Sequence, residues 1–117
     1  MKRRALEGKA LRRFMVQRPR GTRDFGPTEM KRRLAFESLL EEQARRHGFS
    51  RVQTPIFESL DLFTAKSGPG VVSQLYAFQD KGERDLTLRP ELTAPVMRMV
   101  AEELRNETKP LRLSYYG

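Results

Sequence analysis

Two short β-patterned runs, Gln74–Gln79 and Asp85–Leu88, are separated only by Asp80-Lys-Gly-Glu83. A gap that short joins neighbouring antiparallel strands, because a parallel connection needs a crossover of about a dozen residues or more. Gly82 is expected to supply the positive φ that the turn requires. The middle of the chain is thereby committed to a hairpin, and the other elements must arrange themselves around an antiparallel sheet.

The flanking pattern is helical on one side and mixed on the other. Thr28 is placed to cap a helix running to His47, with Glu29 in its first turn. Phe36, Leu39, Leu40, Gln43 and Ala44 recur at helical spacing and predict one mostly apolar face. Arg33/Glu37, Glu41/Arg45 and Glu42/Arg46 stand four apart with opposite charge, each pair contributing about 0.2–0.5 kcal/mol. Gly48 follows as a C-cap. Phe49–Gln53 reads as a short strand, which Pro55 interrupts, so that segment belongs at an edge or an interface. Ile56 and Phe57 continue extended, Leu60–Ala65 suits one helical turn, and Lys66–Gly70 is a turn. A second helix is predicted from Thr93 to Arg105 with Val96, Met97, Val100, Ala101 and Leu104 inward, then a last strand over Leu111–Tyr116. The order is α+β, an antiparallel sheet with packed helices, in one domain.

The N-terminal part differs in kind. Arg18–Pro27 holds two prolines and two glycines, which bar regular helix. Residues 1–17 read as a basic extension, with Ala5, Leu6, Ala10, Phe14 and Met15 forming a weak apolar stripe. Of the net charge of +8, residues 1–33 carry twelve Lys+Arg against three Asp+Glu, a net of +9, and the remainder is slightly acidic. Such a block attracts polyanions without reading sequence, or stands as a solvated tail. No cysteine is present, which excludes disulfides, thiolate metal sites and a cysteine nucleophile. The single histidine, His47, sits at a predicted helix end and suits a C-terminal cation better than a metal ligand. No apolar run approaches bilayer length and no h-region follows the basic start, so a cytoplasmic location is expected.

Several motif spellings fail in context. Asp24-Phe25-Gly26 has the letters of the kinase metal-binding triplet without the surrounding kinase elements. Lys66-Ser67-Gly68 lacks the upstream glycine and the order of a phosphate loop. The informative segment is Asp85-Leu-Thr-Leu-Arg-Pro-Glu-Leu-Thr-Ala-Pro95, a strand that stops at a proline and presents a carboxylate and a hydroxyl where a helix begins. Glu91 and Thr93 can converge there on a small ligand, the carboxylate suiting an ammonium group. Alternatively Thr93 caps the helix and Glu91 complements its dipole, and spacing alone favours that capping reading.

Thr87-Leu-Arg-Pro-Glu-Leu-Thr93 resembles the amino-acid-binding motif of histidyl-tRNA synthetases, and Arg20-Gly-Thr-Arg-Asp24 resembles that family's N-terminal signature. Gly48-Phe-Ser-Arg-Val-Gln-Thr-Pro-Ile-Phe-Glu58 is similar to the first class II synthetase motif, a dimer-interface element. Asp80-Lys-Gly with Arg84 also fits, and the Glu-Leu-Thr-Ala-Pro wording is similar to archaeal-type members. The likeness covers residues 18–117 in order.

The resemblance implies that Glu91 takes the α-ammonium of histidine, with Thr93 and the backbone at Leu92 completing that end of the pocket. It implies a homodimer built through Phe49, Val52, Pro55, Ile56 and Phe57. Histidine, ATP with Mg2+, and tRNA-His are the implied substrates and partners of a ligase. Tyr115-Tyr116-Gly117 is where the family's second motif, with its ATP-binding arginine, is expected to begin. The chain is therefore expected to be a partial catalytic domain, inactive alone and holding no ATP or metal by itself. Two other readings stand beside this one. The synthetase-like regulatory subunit of ATP phosphoribosyltransferase shares the fold without ligase activity, and is expected to carry Asp where Glu91 stands. A stand-alone RNA-binding module would act through residues 1–33.

Overall fold

A computed structural model describes residues 16–117. The apolar stripe assigned to Ala5, Leu6, Ala10, Phe14 and Met15 lies outside the described residues. The chain divides into two units, Met1–Phe36 and Glu37–Gly117, with the boundary inside helix α1, Pro27–Arg46.

In the first unit, residues 18–26 are free of regular structure, as Pro19 and the two glycines favour, and Gly21 takes φ 80°. Pro27 opens α1, one residue before the predicted start. Proline suits that position because its missing N–H would have no partner there. Arg23 pairs with Glu29 in the first turn. Arg33 does not reach for Glu37. Its guanidinium lies over the Phe25 ring, 4.1 Å from the centroid.

In the second unit, α1 ends at the predicted glycine. Gly48 adopts φ 81° and its N–H donates to the Arg45 carbonyl at 3.0 Å. A Cβ at Gly48 would lie 3.3 Å from the Arg112 guanidinium. Gly48→Ala is thus expected to cost about 1–2 kcal/mol, from the left-handed backbone with some crowding added. A lowered urea midpoint at unchanged m-value would show it.

The predicted charge pairs on α1 are partly re-sorted. Glu42 accepts from both Arg45 (2.9 Å) and Arg46 (3.0 Å). These bonds hold the Glu42 carboxyl below its usual range, the Arg45 bond contributing most. Arg51, arriving on the next strand, takes Glu41 at 3.1 Å and also pairs with Glu37. The predicted apolar face of α1 is present but uncovered. No residue of α1 is buried, and Leu39 and Leu40 remain 67% and 41% exposed.

Strand β1, Ser50–Arg51, pairs with β5, Leu113–Ser114, in register Ser50 to Leu113. The pairing is parallel, which departs from the wholly antiparallel sheet expected. The hairpin argument governs only sequential strands, and here the chain from Val52 to Arg112 supplies the long crossover that parallel strands need. The remaining strands form the predicted antiparallel sheet in the order β2 (Phe57–Ser59), β4 (Asp85–Leu88), β3 (Ala77–Gln79). Thr87 lies at its centre, facing Glu58 on one side and Ala77 on the other, with no exposed surface. β3 is shorter than predicted because Pro69–Gln74 forms a 3₁₀ helix. The single turn expected after Leu60 extends to a helix, α2, over Asp61–Ser67.

The hairpin turn closes differently from expectation. Glu83, not Gly82, carries the positive φ, at 61°. Asp80 organises the turn, its carboxylate accepting from the N–H groups of Gly82 (2.9 Å) and Arg84 (3.0 Å) and from the Arg84 side chain (2.6 Å). The amide of Arg84, ahead of its side chain and the Gly82 amide, holds the Asp80 carboxyl below its usual range.

Helix α3, Thr93–Glu103, packs against α2. Pro95 and Val96 on α3 and Phe63 on α2 are buried. Pro95 is tolerated because it lies in the first helical turn, where an N–H has no intrahelical acceptor. Beneath them Glu58 of β2 is buried and receives both Nε (2.8 Å) and a terminal nitrogen (2.9 Å) of Arg98. The remaining Arg98 terminal nitrogen donates to Glu102 at 2.8 Å.

Candidate functional site

The sheet delivers the site directly. β4 ends at Leu88, and the Arg89 N–H closes onto the Ile56 carbonyl at 2.9 Å. The Arg89 guanidinium donates to the Thr54 carbonyl at 3.1 Å, tying this segment to the chain just before Pro55. Pro90 cannot continue the ladder, so the chain leaves the sheet and Glu91 falls between strand and helix. Leu92 follows with its carbonyl accepting from the Val96 N–H at 3.3 Å, which starts α3.

Spacing favoured Thr93 as the cap; in the structure Glu91 takes that role and Thr93 does not. The Glu91 carboxylate accepts from the N–H groups of Thr93 and Ala94, the latter at 3.0 and 3.2 Å to its two oxygens. These are orphan donors of the first turn, and an anion there is also favoured by the helix dipole. The Thr93 hydroxyl instead lies 3.1 Å from the Tyr115 hydroxyl. Glu91, Thr93, Ala94, Met97 and Arg98 line one wall of an open cleft of about 470 Å³, and Leu62, Phe63, Lys66 and Ser67 of α2 line the other. That volume falls within the range of about 300–1,000 Å³ usual for small-molecule sites. A carboxylate has about four acceptor positions, so two backbone donors leave Glu91 able to receive an ammonium group as well.

The proposed interface residues lie elsewhere: Phe49 just before β1, Val52, Pro55 and Ile56 in the link between β1 and β2, and Phe57 at the start of β2. Phe49, Ile56 and Phe57 are 40%, 66% and 51% exposed, Pro55 is exposed and Val52 half-buried. Phe57 meets Phe78 edge-on at 6.2 Å. His47 lies just beyond the end of α1, its Nδ1 2.8 Å from the Gln43 carbonyl. Sequence reasoning missed three groups. Arg98, Arg89 and Tyr115 find their partners 40, 35 and 22 residues away, and no local spacing signals such pairs.

Residues 21–117 match the family described as histidyl-tRNA synthetase. The chain belongs to that family. It is 58% identical over 103 residues to the histidine–tRNA ligase of Methanosphaerula palustris, covering 88% of this chain and 25% of that protein. It is 57% identical to the ligase of Methanosarcina acetivorans, covering 86% and 24%. It spans about a quarter of the length of these curated relatives. Among solved structures it resembles apo Staphylococcus aureus histidyl-tRNA synthetase at TM-score 0.74 and 38% identity, over 86% of this chain and 28% of that one. An ATP phosphoribosyltransferase regulatory subunit/histidyl-tRNA synthetase from Bacillus halodurans C matches at the same TM-score with 32% identity, over 89% and 27%. The α+β class II synthetase-like fold of this family member is thus established.

Proposed function

We propose that residues 18–117 are the N-terminal part of a class II catalytic domain preceded by a basic extension, and that they hold histidine in an ATP-dependent histidine–tRNA ligase. One observation carries the reading: Glu91 and Thr93, two residues apart at a strand-to-helix junction, line the same cleft. In this arrangement Glu91 receives the α-ammonium group, the backbone at Leu92 and the Thr93 hydroxyl border it, and Tyr115 fixes the direction of that hydroxyl. The helix amides already bonded to Glu91 keep its oxygens in place before the ligand arrives, which lowers the cost of binding.

ATP is the co-substrate of this reading and tRNA-His its acceptor. Among the described residues no three carboxylate or imidazole groups gather into one cation site. The exposed Phe49, Pro55, Ile56 and Phe57, with Val52, form the surface of a homodimer in this proposal. Among the described residues no helix is long and apolar enough to cross a membrane, which fits the cytoplasmic location proposed with this function.

A chimera tests the ligase reading. The matching segment of the Methanosphaerula palustris ligase is replaced by this chain, and histidine-dependent pyrophosphate exchange is measured. Activity within about tenfold of the parent is expected, a barrier change under roughly 1.4 kcal/mol. A folded chimera without exchange would overturn it.

A further inference from the structure

We propose that Lys66 receives the α-carboxylate of the amino acid whose ammonium group Glu91 takes, an assignment that rests on the histidine-binding reading of the cleft. A free α-amino acid is a zwitterion. Its two charges hang from one carbon, so a cleft that answers only the ammonium end leaves a carboxylate close by without a counter-charge. Two cations border the cleft that Glu91 and Thr93 line: Lys66 in the last turn of α2 and Arg98 on α3.

Arg98 is already committed. Its Nε and one terminal nitrogen donate to Glu58 at 2.8 and 2.9 Å, and the other terminal nitrogen donates to Glu102 at 2.8 Å. Its charge is matched by a buried carboxylate, and drawing it to a ligand would strip Glu58 of its partner. Lys66 is exposed and, among the described residues, forms no ion pair. Nor does α2 depend on it for a cap, because the Gly68 N–H closes that helix onto the Thr64 carbonyl at 2.8 Å. Lys109 shows the other use of a lysine near a helix end: its Nζ donates to the carbonyls of Leu104 and Arg105 at 3.0 and 3.4 Å. Complementing the dipole of α2 draws on the charge of Lys66 but on none of its three donors, which stay available to a ligand. Ordering its flexible stem in an open cleft costs entropy, so the gain from the contact is modest.

The test titrates the chimera with histidine and with histidinol, without ATP, by calorimetry. Histidinol keeps the imidazole and the ammonium but carries a neutral hydroxymethyl group in place of the carboxylate. Lys66→Met keeps an unbranched apolar stem and removes the charge. It is expected to weaken histidine binding about tenfold and histidinol binding by less than about twofold. Lys66→Arg should hold histidine within about threefold of the unsubstituted chimera, because the charge remains. An unchanged histidine affinity in Lys66→Met would overturn the proposal, and so would equal losses for the two ligands. A loss that appears only when ATP is titrated would overturn it as well, placing Lys66 on the nucleotide. Failure of the unsubstituted chimera to bind either ligand would remove the histidine-binding reading, and this assignment with it. Binding of both ligands with no effect of Lys66→Met would remove Lys66 alone.

Discussion

Arg98→Met is expected to destabilise the second unit by about 3 kcal/mol. Glu58 is buried, its side chain 5% exposed, and two of the three Arg98 nitrogens are committed to it. Removing the guanidinium leaves a carboxylate with little access to water and no cation, which is the costly half of a broken buried pair. The Arg98 side chain is 25% exposed, so water can partly replace it, which puts the loss at the lower end of about 3–5 kcal/mol. Its bond to Glu102, itself 60% exposed, adds only a few tenths. Urea unfolding followed by circular dichroism measures the loss, read as a lower midpoint at constant m-value. Glu58→Leu/Arg98→Met together should lie within about 1–2 kcal/mol of the wild type, because both desolvated charges are then gone. A single variant as stable as the wild type would show that water already reaches Glu58.

The pair shows what local pattern conveys and what it does not. Gly48, Pro55, Pro90 and the Asp85–Leu88 strand were legible because each acts through its own backbone. A positive φ, a missing N–H and a period of two need no distant partner. The hairpin was legible in outline, but Asp80 was not recognised as its organiser. Its carboxylate satisfies the turn amides, which moved the left-handed residue from Gly82 to Glu83. The parallel pairing of Ser50–Arg51 with Leu113–Ser114 depends on elements distant in sequence, as do Arg98 on Glu58 and Arg89 on Thr54. Only tertiary structure selects such partners. Arg51 makes the same point against local pairing rules: it displaced Glu37 and Glu41 from the helical partners that i,i+4 spacing assigned them. The apolar face of α1 was read correctly as apolar, but periodicity says nothing of whether a partner covers it. The sequence placed Glu91 and Thr93 together at the strand-to-helix junction, where they border one cleft, but did not convey their division of labour. Spacing suggested a threonine cap, whereas the longer glutamate reaches the amides and releases the hydroxyl to Tyr115.

That division of labour separates the two roles of Glu91 experimentally. Glu91→Gln keeps an oxygen able to accept from the amides of Thr93 and Ala94, so the cap should weaken by only about 0.5–1 kcal/mol. An α-ammonium loses more, because the neutral amide gives up the charge-assisted bond and offers one acceptor oxygen in place of two. In the chimera, Glu91→Gln is therefore expected to weaken histidine binding about 30-fold, near 2 kcal/mol. Thr93→Val, which removes the hydroxyl shared with Tyr115, should cost about 1 kcal/mol. Titration with N-acetylhistidine completes a double cycle, since that ligand keeps the imidazole and carboxylate but has no ammonium charge. Wild type and Glu91→Gln should bind it with affinities within about threefold of each other, giving a coupling between Glu91 and the ammonium near 1.5–2 kcal/mol. Equal losses for both ligands would mean that Glu91 acts only by holding the start of α3, and that the cleft receives its amino acid by some other group.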